Sequence, residues 1–281
     1  MIESPRNARV REVRRLQQKA ERTSSGLFLL EGPQAVREAL ECRPELVTDL
    51  FVTPTALERH TDLGDLAFRH ELELQFATEE AIDAMADTRT PQGVIAVCRQ
   101  FPASIRTLFG QSSQAEGGDD RDGEPGPKLV AILEEVRDPG NAGTIIRAAD
   151  AAGADAVILT GRTVDLYNPK VVRATTGSLF HLPIAVDIEL DAVLARVREA
   201  GMQVIAADVK GDAITELSQD ELARPTAWVF GNEARGLSDD NVALADRSVR
   251  VPIYGLAESM NLSTAASVVL YASAFAQRAG E

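Results

Sequence analysis

The sequence predicts an α/β protein of two domains, the second a parallel sheet covered by helices on both faces. Three observations carry this. Beyond residue 128, short aliphatic runs alternate with segments of helical period, the pattern of a parallel sheet with crossover helices. Residues 111–128 read QSSQAEGGDDRDGEPGPK, a polar stretch that cannot bury enough apolar surface to offset its ordering entropy, so a linker or loop divides the chain near residue 120. The 281 residues, 44% of them apolar, suffice for two cores.

In the first block, Leu27–Leu30 is a strand candidate. Gly32-Pro33 then opens an amphipathic helix running to Leu40, with proline at the favoured first helical position. Val47–Val52, Leu72–Phe76 and Val94–Val97 are further strands, with helical stretches at Pro54–Arg59 and Thr78–Met85. In the second block the strands are Leu129–Leu133, Ala156–Leu159, Gln203–Ala206, Ala227–Phe230 and Ser248–Val251. The helices are Ala142–Ala152, Pro169–Thr175, Leu190–Ala200, Ser238–Ala245 and Ser263–Gln277.

The formal charge of −14 argues at first against a nucleic-acid partner. It is unevenly spread. Residues 1–22 carry Arg6, Arg9, Arg11, Arg14, Arg15, Lys19 and Arg22 against Glu3, Glu12 and Glu21, a net +4 on a remainder of −18. Arg11, Arg15, Lys19 and Arg22 fall on one helical face, either a phosphate-contacting arm or a solvated face with i,i+4 partners. Cys42 and Cys98 form no CxxC pair, and His60, His70 and His181 no HxxxH spacing, so neither a disulfide framework nor a metal site is expected. The N-terminus lacks the apolar core of a secretory signal, and no apolar run approaches membrane-spanning length. A reduced cytoplasmic setting follows.

Parallel sheets bind ligands at the carboxyl ends of their strands, so the strand-to-helix turns of the second block are the candidate sites. After Leu129–Leu133, two glycines and an asparagine open a helix in Asp138-Pro139-Gly140-Asn141-Ala142-Gly143, with Arg147 expected one turn in, where its charge opposes the macrodipole and points to an anion. No GxGxxG is present, which argues against a nucleotide-dependent oxidoreductase. After Ala227–Phe230 comes Gly231-Asn232-Glu233, whose carboxylate can accept from a ligand or a neighbouring turn. After Ser248–Val251 comes Ser259-Met260-Asn261-Leu262-Ser263, where Asn261 or Ser263 can cap a helix rich in small residues.

Singly, each turn is ordinary punctuation. Together, Asn141-x-Gly143-x-x-x-Arg147, Phe230-Gly231-Asn232-Glu233-x-x-Gly236-Leu237 and Val251-Pro252-Ile253 with Ser259-Met260-Asn261-Leu262-Ser263 resemble, in order and spacing, the three motifs of the SpoU (TrmH-type) RNA ribose 2′-O-methyltransferases of the SPOUT superfamily. Ile2-x-Ser4-x-x-Asn7, Phe28-Leu29-Leu30-Glu31-Gly32 and Thr90-Pro91-Gln92-Gly93-Val94 resemble the substrate-binding domain of rRNA-modifying members.

The resemblance implies a trefoil-knotted methyltransferase domain at 128–281, a smaller α/β RNA-binding domain at 26–108, a basic arm at 1–25 and an acidic linker at 109–127. It implies S-adenosylmethionine as cofactor, held by Gly231, Val251, Met260 and Leu262. Arg147 becomes the key catalytic residue, supported by Asn141, Glu233, Ser259 and Asn261. The expected enzyme is a cytoplasmic homodimer that methylates a ribose 2′-hydroxyl of 23S rRNA and requires no metal. A tRNA target and a non-catalytic RNA-binding relative are the alternatives.

Overall fold

The structure, a computed structural model, describes residues 1–109 and 126–279. Most of the expected linker, residues 110–125, lies outside the described residues. In chain order the elements are α1 (Ala8–Arg15), α2 (Lys19–Ser25), β1 (Leu27–Glu31), α3 (Pro33–Cys42), β2 (Val47–Val52), α4 (Pro54–Arg59), α5 (Thr61–Arg69), β3 (Leu74–Phe76), α6 (Glu79–Met85), β4 (Val94–Arg99) and α7 (Ile105–Leu108). There follow β5 (Leu129–Glu134), α8 (Pro139–Ala151), β6 (Ala156–Thr160), α9 (Pro169–Thr175), β7 (Ile184–Ile188), α10 (Leu190–Glu199), β8 (Gln203–Ala213), α11 (Gln219–Ala223), β9 (Thr226–Phe230), α12 (Asp239–Ala243), β10 (Arg247–Arg250) and α13 (Leu262–Gln277). The chain divides into two compact units: Met1–Phe101 with Asp165–His181, and Pro102–Val164 with Leu182–Glu281.

The first unit is a four-stranded sheet in the order β1-β4-β2-β3, antiparallel except for the β2–β3 pair. Val10, Val13 and Leu16 pack with Ile82 and Met85 of α6 on Leu29, Phe51, Ile95 and Val97. α3, α4 and α6 start within a residue of where the sequence places them, whereas α5 exceeds the expectation. Asn7, Thr53 and Thr78 each accept a backbone N–H at the start of α1, α4 and α6. The unit also recruits a segment distant in sequence. Arg173 bonds Glu31 at 3.2 Å, and Tyr167 lies with its ring centroid 4.8 Å from that of Phe28.

Here the expected basic face is corrected. The helix breaks at Leu16–Gln18, and Arg22 is buried, at 2% exposure. Its guanidinium donates to Leu16 O at 2.9 Å, to Gln17 O at 2.8 Å and to the Asp165 carboxylate. A buried charge needs such partners, and these hold the break itself. Arg9 is also engaged, bridging Asp49 at 2.6 Å and Glu12 at 2.9 Å, and the hydrogen bond it donates to Asp49 raises its pKa. The surface that remains basic is Arg6, Arg11, Arg14, Arg15 and Lys19, all exposed.

The second unit is a six-stranded, wholly parallel sheet in the order β10-β8-β9-β5-β6-β7. Strands buried on both faces read as unbroken apolar runs, as LVAIL in β5 and AWVF in β9 do. Trp228 of β9 is fully buried and donates through Nε1 to Ser273 Oγ of α13 at 2.9 Å. Three features exceed the expectation. β7 is an added edge strand, disguised in sequence by Pro183 before it and the charges of Asp187 and Glu189. β8 runs to Ala213, pairing β9 with its first half and β10 at both ends across a register shift at Ser248–Val249. Gly211 permits that shift, because a Cβ there would lie 2.5 Å from Ser248 O. The third is α8, which begins at Pro139 rather than Ala142, capped by Asp138.

Candidate active site

Three turns of the second unit carry the candidate residues: β5 to α8, the turn after β9, and the segment from β10 to α13. Their geometry is set by one carboxylate and two amides. The Glu233 carboxylate accepts from Asp138 N at 2.9 Å, Arg137 N at 3.2 Å and Asn141 Nδ2 at 3.4 Å. Asn141 Oδ1 accepts from Asn261 Nδ2 at 3.0 Å. Asn261 Oδ1 caps α13, accepting from Ser263 N at 2.9 Å, Ser263 Oγ at 2.7 Å and Thr264 N at 3.3 Å. Of the two alternatives for the Glu233 carboxylate, this structure uses it to hold the neighbouring turn.

Gly231 is buried at the end of β9. A Cβ there would lie 2.7 Å from Gly236 O and closer to Gly236 C and Leu237 N, so only glycine lets this turn close. The turn is sealed by reciprocal main-chain bonds between Asn232 and Gly236, at 3.1 and 2.8 Å. Val251 and Leu262 are half-buried, while Ser259 and Met260 lie in an exposed loop. That loop exposes Tyr254 at 87% and Leu256 fully, beside Ile253 and Met260. Water-facing apolar side chains on one loop mark a ligand or partner surface.

Arg147 stands apart. It is the ninth residue of α8, about 12 Å along the axis from the N-terminus, not one turn in. The macrodipole argument for its environment therefore fails, since that effect fades within the first turn. Its side chain is exposed and makes no hydrogen bond or ion pair among the described residues. The structure thus joins Asn141, Glu233 and Asn261 directly and leaves Arg147 and Ser259 outside the network.

Three residues outside the expected site, Asn232, Glu135 and Glu134, support it. Asn232 Nδ2 donates to Glu135 O at 2.9 Å, and Asn232 Oδ1 accepts from Ala234 N at 3.0 Å. Glu135 adopts φ +52° and pairs with Arg235 at 3.1 Å and Arg137 at 3.6 Å. Glu134 accepts from Thr160 Oγ1 at 2.5 Å and from Asn241 Nδ2 at 3.3 Å. The sequence signal was present: two adjacent carboxylates where an aliphatic strand ends.

Comparisons with known proteins identify the family. The SpoU rRNA Methylase family profile matches residues 128–271, and an MRM3-like substrate binding domain matches residues 7–96. The chain is 32% identical to the 23S rRNA (guanosine(2553)-2'-O)-methyltransferase RlmP of Bacillus subtilis, over 96% of this chain and 97% of that protein. It resembles the crystal structure of an AdoMet-bound rRNA methyltransferase from Sinorhizobium meliloti, with TM-score 0.79 and 29% identity over 97% of this chain and 96% of that one. The AdoMet complex of the SpoU methyltransferase AviRb from Streptomyces viridochromogenes superposes with TM-score 0.78 and 28% identity, over 98% of this chain and all of the other. With three motif turns joined at the carboxyl ends of a parallel sheet, and a family match over half its length, the chain belongs to the SpoU rRNA Methylase family.

Proposed function

We propose that the protein is an S-adenosylmethionine-dependent methyltransferase acting on a ribose 2′-hydroxyl of 23S rRNA. The observation that carries this is the Asn261–Asn141–Glu233 chain of hydrogen bonds, which holds three motif turns in one arrangement. Relatives covering nearly the whole chain are named as 23S rRNA 2'-O-methyltransferases, which favours rRNA over the tRNA alternative.

The residues fit the cofactor. Gly231 lets its turn close where a Cβ would strike the Gly236 and Leu237 main chain, and the exposed apolar loop offers Ile253, Leu256 and Met260 to an adenosine face. No main-chain amide from Ile253 to Met260 donates to another main-chain group among the described residues, so this loop's polar edge is free to read a base. Val251 and Leu262 flank it. When bound, the cofactor supplies an electrophilic sulfonium methyl, so the protein's task is positioning. Asn141, Glu233 and Asn261 hold the turns. Arg147 holds the phosphate beside the acceptor ribose and stabilises negative charge on the 2′-oxygen. Guanidinium keeps its proton, so Arg147 does not act as the base. Ser259 is the exposed hydroxyl that completes the set.

RNA enters by the exposed Arg11, Arg14, Arg15 and Lys19, and the acidic remainder limits non-specific contact. After edge strand β10 the chain returns to mid-sheet, where α13 packs on α8, β5 and β9, which supports a threaded, trefoil-knotted C-terminal segment. The main-chain trace of an experimental structure tests the threading. We place the enzyme in the cytoplasm with its RNA; no helix among the described residues is long and apolar enough to cross a membrane.

Purified protein is expected to transfer labelled methyl from S-adenosylmethionine to 23S rRNA taken from a strain lacking the enzyme, at one nucleotide. Incorporation only into tRNA selects the alternative; incorporation into neither refutes enzymatic function. A homodimer is supported by α13, which presents Val268, Tyr271 and Phe275 on one face, the last 70% exposed. Light scattering should give a dimer, and Phe275→Glu a monomer. A parent protein monomeric at every concentration refutes the homodimer.

A further inference from the structure

Within the first unit, Glu38, Cys42 and His181 place a carboxylate oxygen, a thiol sulfur and an imidazole nitrogen within 4.8 Å of one another. We infer that this cluster is a zinc site. Glu38 and Cys42 stand at i and i+4 on α3, so both project from one helical face. His181 comes from the recruited segment, just after the 3-10 turn Ser178–Phe180, whose side chains are buried. Thiolate, imidazole and carboxylate together suit Zn²⁺ or Co²⁺ better than the hard cations that prefer oxygen alone.

The ligands are already oriented. His181 Nε2 lies 3.1 Å from Glu38 Oε2, while Gln34 Nε2 donates to Glu38 Oε1 at 2.7 Å and fixes the carboxylate plane. Gly177, at φ +107°, lets the segment close on Glu38, whose Cβ would lie 2.8 Å from a Cβ at that glycine. Metal–ligand lengths of about 2.0–2.3 Å put neighbouring donors of a tetrahedral site about 3.3–3.8 Å apart, so the donors need draw in by only about 1 Å. Cys42 is exposed, leaving a fourth position open to water. Cys98 is no competitor: it is fully buried, and burial raises its thiol pKa far above the usual range. The bound ion would pin Asp165–His181 to α3, adding a third anchor to Arg22–Asp165 and Glu31–Arg173.

Sequence spacing hides the site, because His181 lies far along the chain from the other two ligands. The test uses the full chain, stripped with a chelator and titrated with Co²⁺ and then Zn²⁺. One Co²⁺ per chain is expected, with a thiolate-to-cobalt charge-transfer band that Zn²⁺ abolishes. Cys42→Ser should lose the band, and both Cys42→Ser and His181→Ala should weaken Zn²⁺ binding at least about tenfold, with far-UV circular dichroism unchanged. Absence of the band in the parent protein, or its survival in Cys42→Ser, overturns the assignment.

Discussion

Arg147→Ala is expected to lower methyl transfer to 23S rRNA by at least about 100-fold while leaving cofactor affinity and thermal unfolding unchanged. The first half rests on charge. A ribose hydroxyl becomes nucleophilic only as its proton leaves, and a guanidinium directed at the oxygen stabilises the developing negative charge without surrendering its own proton. The second half rests on geometry. Arg147 is exposed in the interior of α8, and no ion pair among the described residues is lost with it. Alanine is the best helix former, so the helix itself is not weakened. Arg147→Lys keeps the charge but loses the planar fork, and an intermediate rate is expected. Cofactor binding by isothermal titration and single-turnover methylation separate the two halves. Loss of cofactor affinity in Arg147→Ala would move the residue into the cofactor pocket; an unchanged rate would remove it from the chemistry.

Arg22→Met is expected to destabilise the first unit by about 3 kcal/mol. The substitution leaves Asp165 without its cation and removes the donors to Leu16 O and Gln17 O. The figure sits at the low end for a broken buried pair because the Asp165 side chain retains 18% exposure. Urea denaturation measures it. RNA affinity of the folded variant should match the parent. Arg14→Ala gives the opposite signature: unchanged stability, weaker RNA binding and a salt dependence reduced by about one phosphate contact. A fall in RNA affinity with no loss of stability in Arg22→Met would return Arg22 to the RNA-binding face.

These two arginines mark where reading along the chain succeeds and where it stops. Most strands, several helix starts and the three motif turns are legible because their signals are local. Pro33 and Pro54 open helices, Thr53 and Thr78 cap them, and aliphatic runs mark strands buried on both faces. Arg22 was misplaced because its helical register matches that of a solvated residue, and register says nothing of what lies 143 positions away. Edge strand β7 and the C-terminal half of β8 were missed for the related reason that their partners, not their own residues, make them strands.

The sequence by itself determined an α/β chain with a parallel sheet, a net charge concealing a basic N-terminal stretch, and the residue types at three strand ends that resemble the SpoU motifs. Tertiary structure decided which of those residues touch. It joined Asn141, Glu233 and Asn261, left Arg147 exposed, buried Arg22 and gathered Glu38, Cys42 and His181. The reason is range. Periodicity, caps and turns act over about one helical turn, whereas contacts between residues 90 or more apart exist only once the sheet has closed and fixed its neighbours.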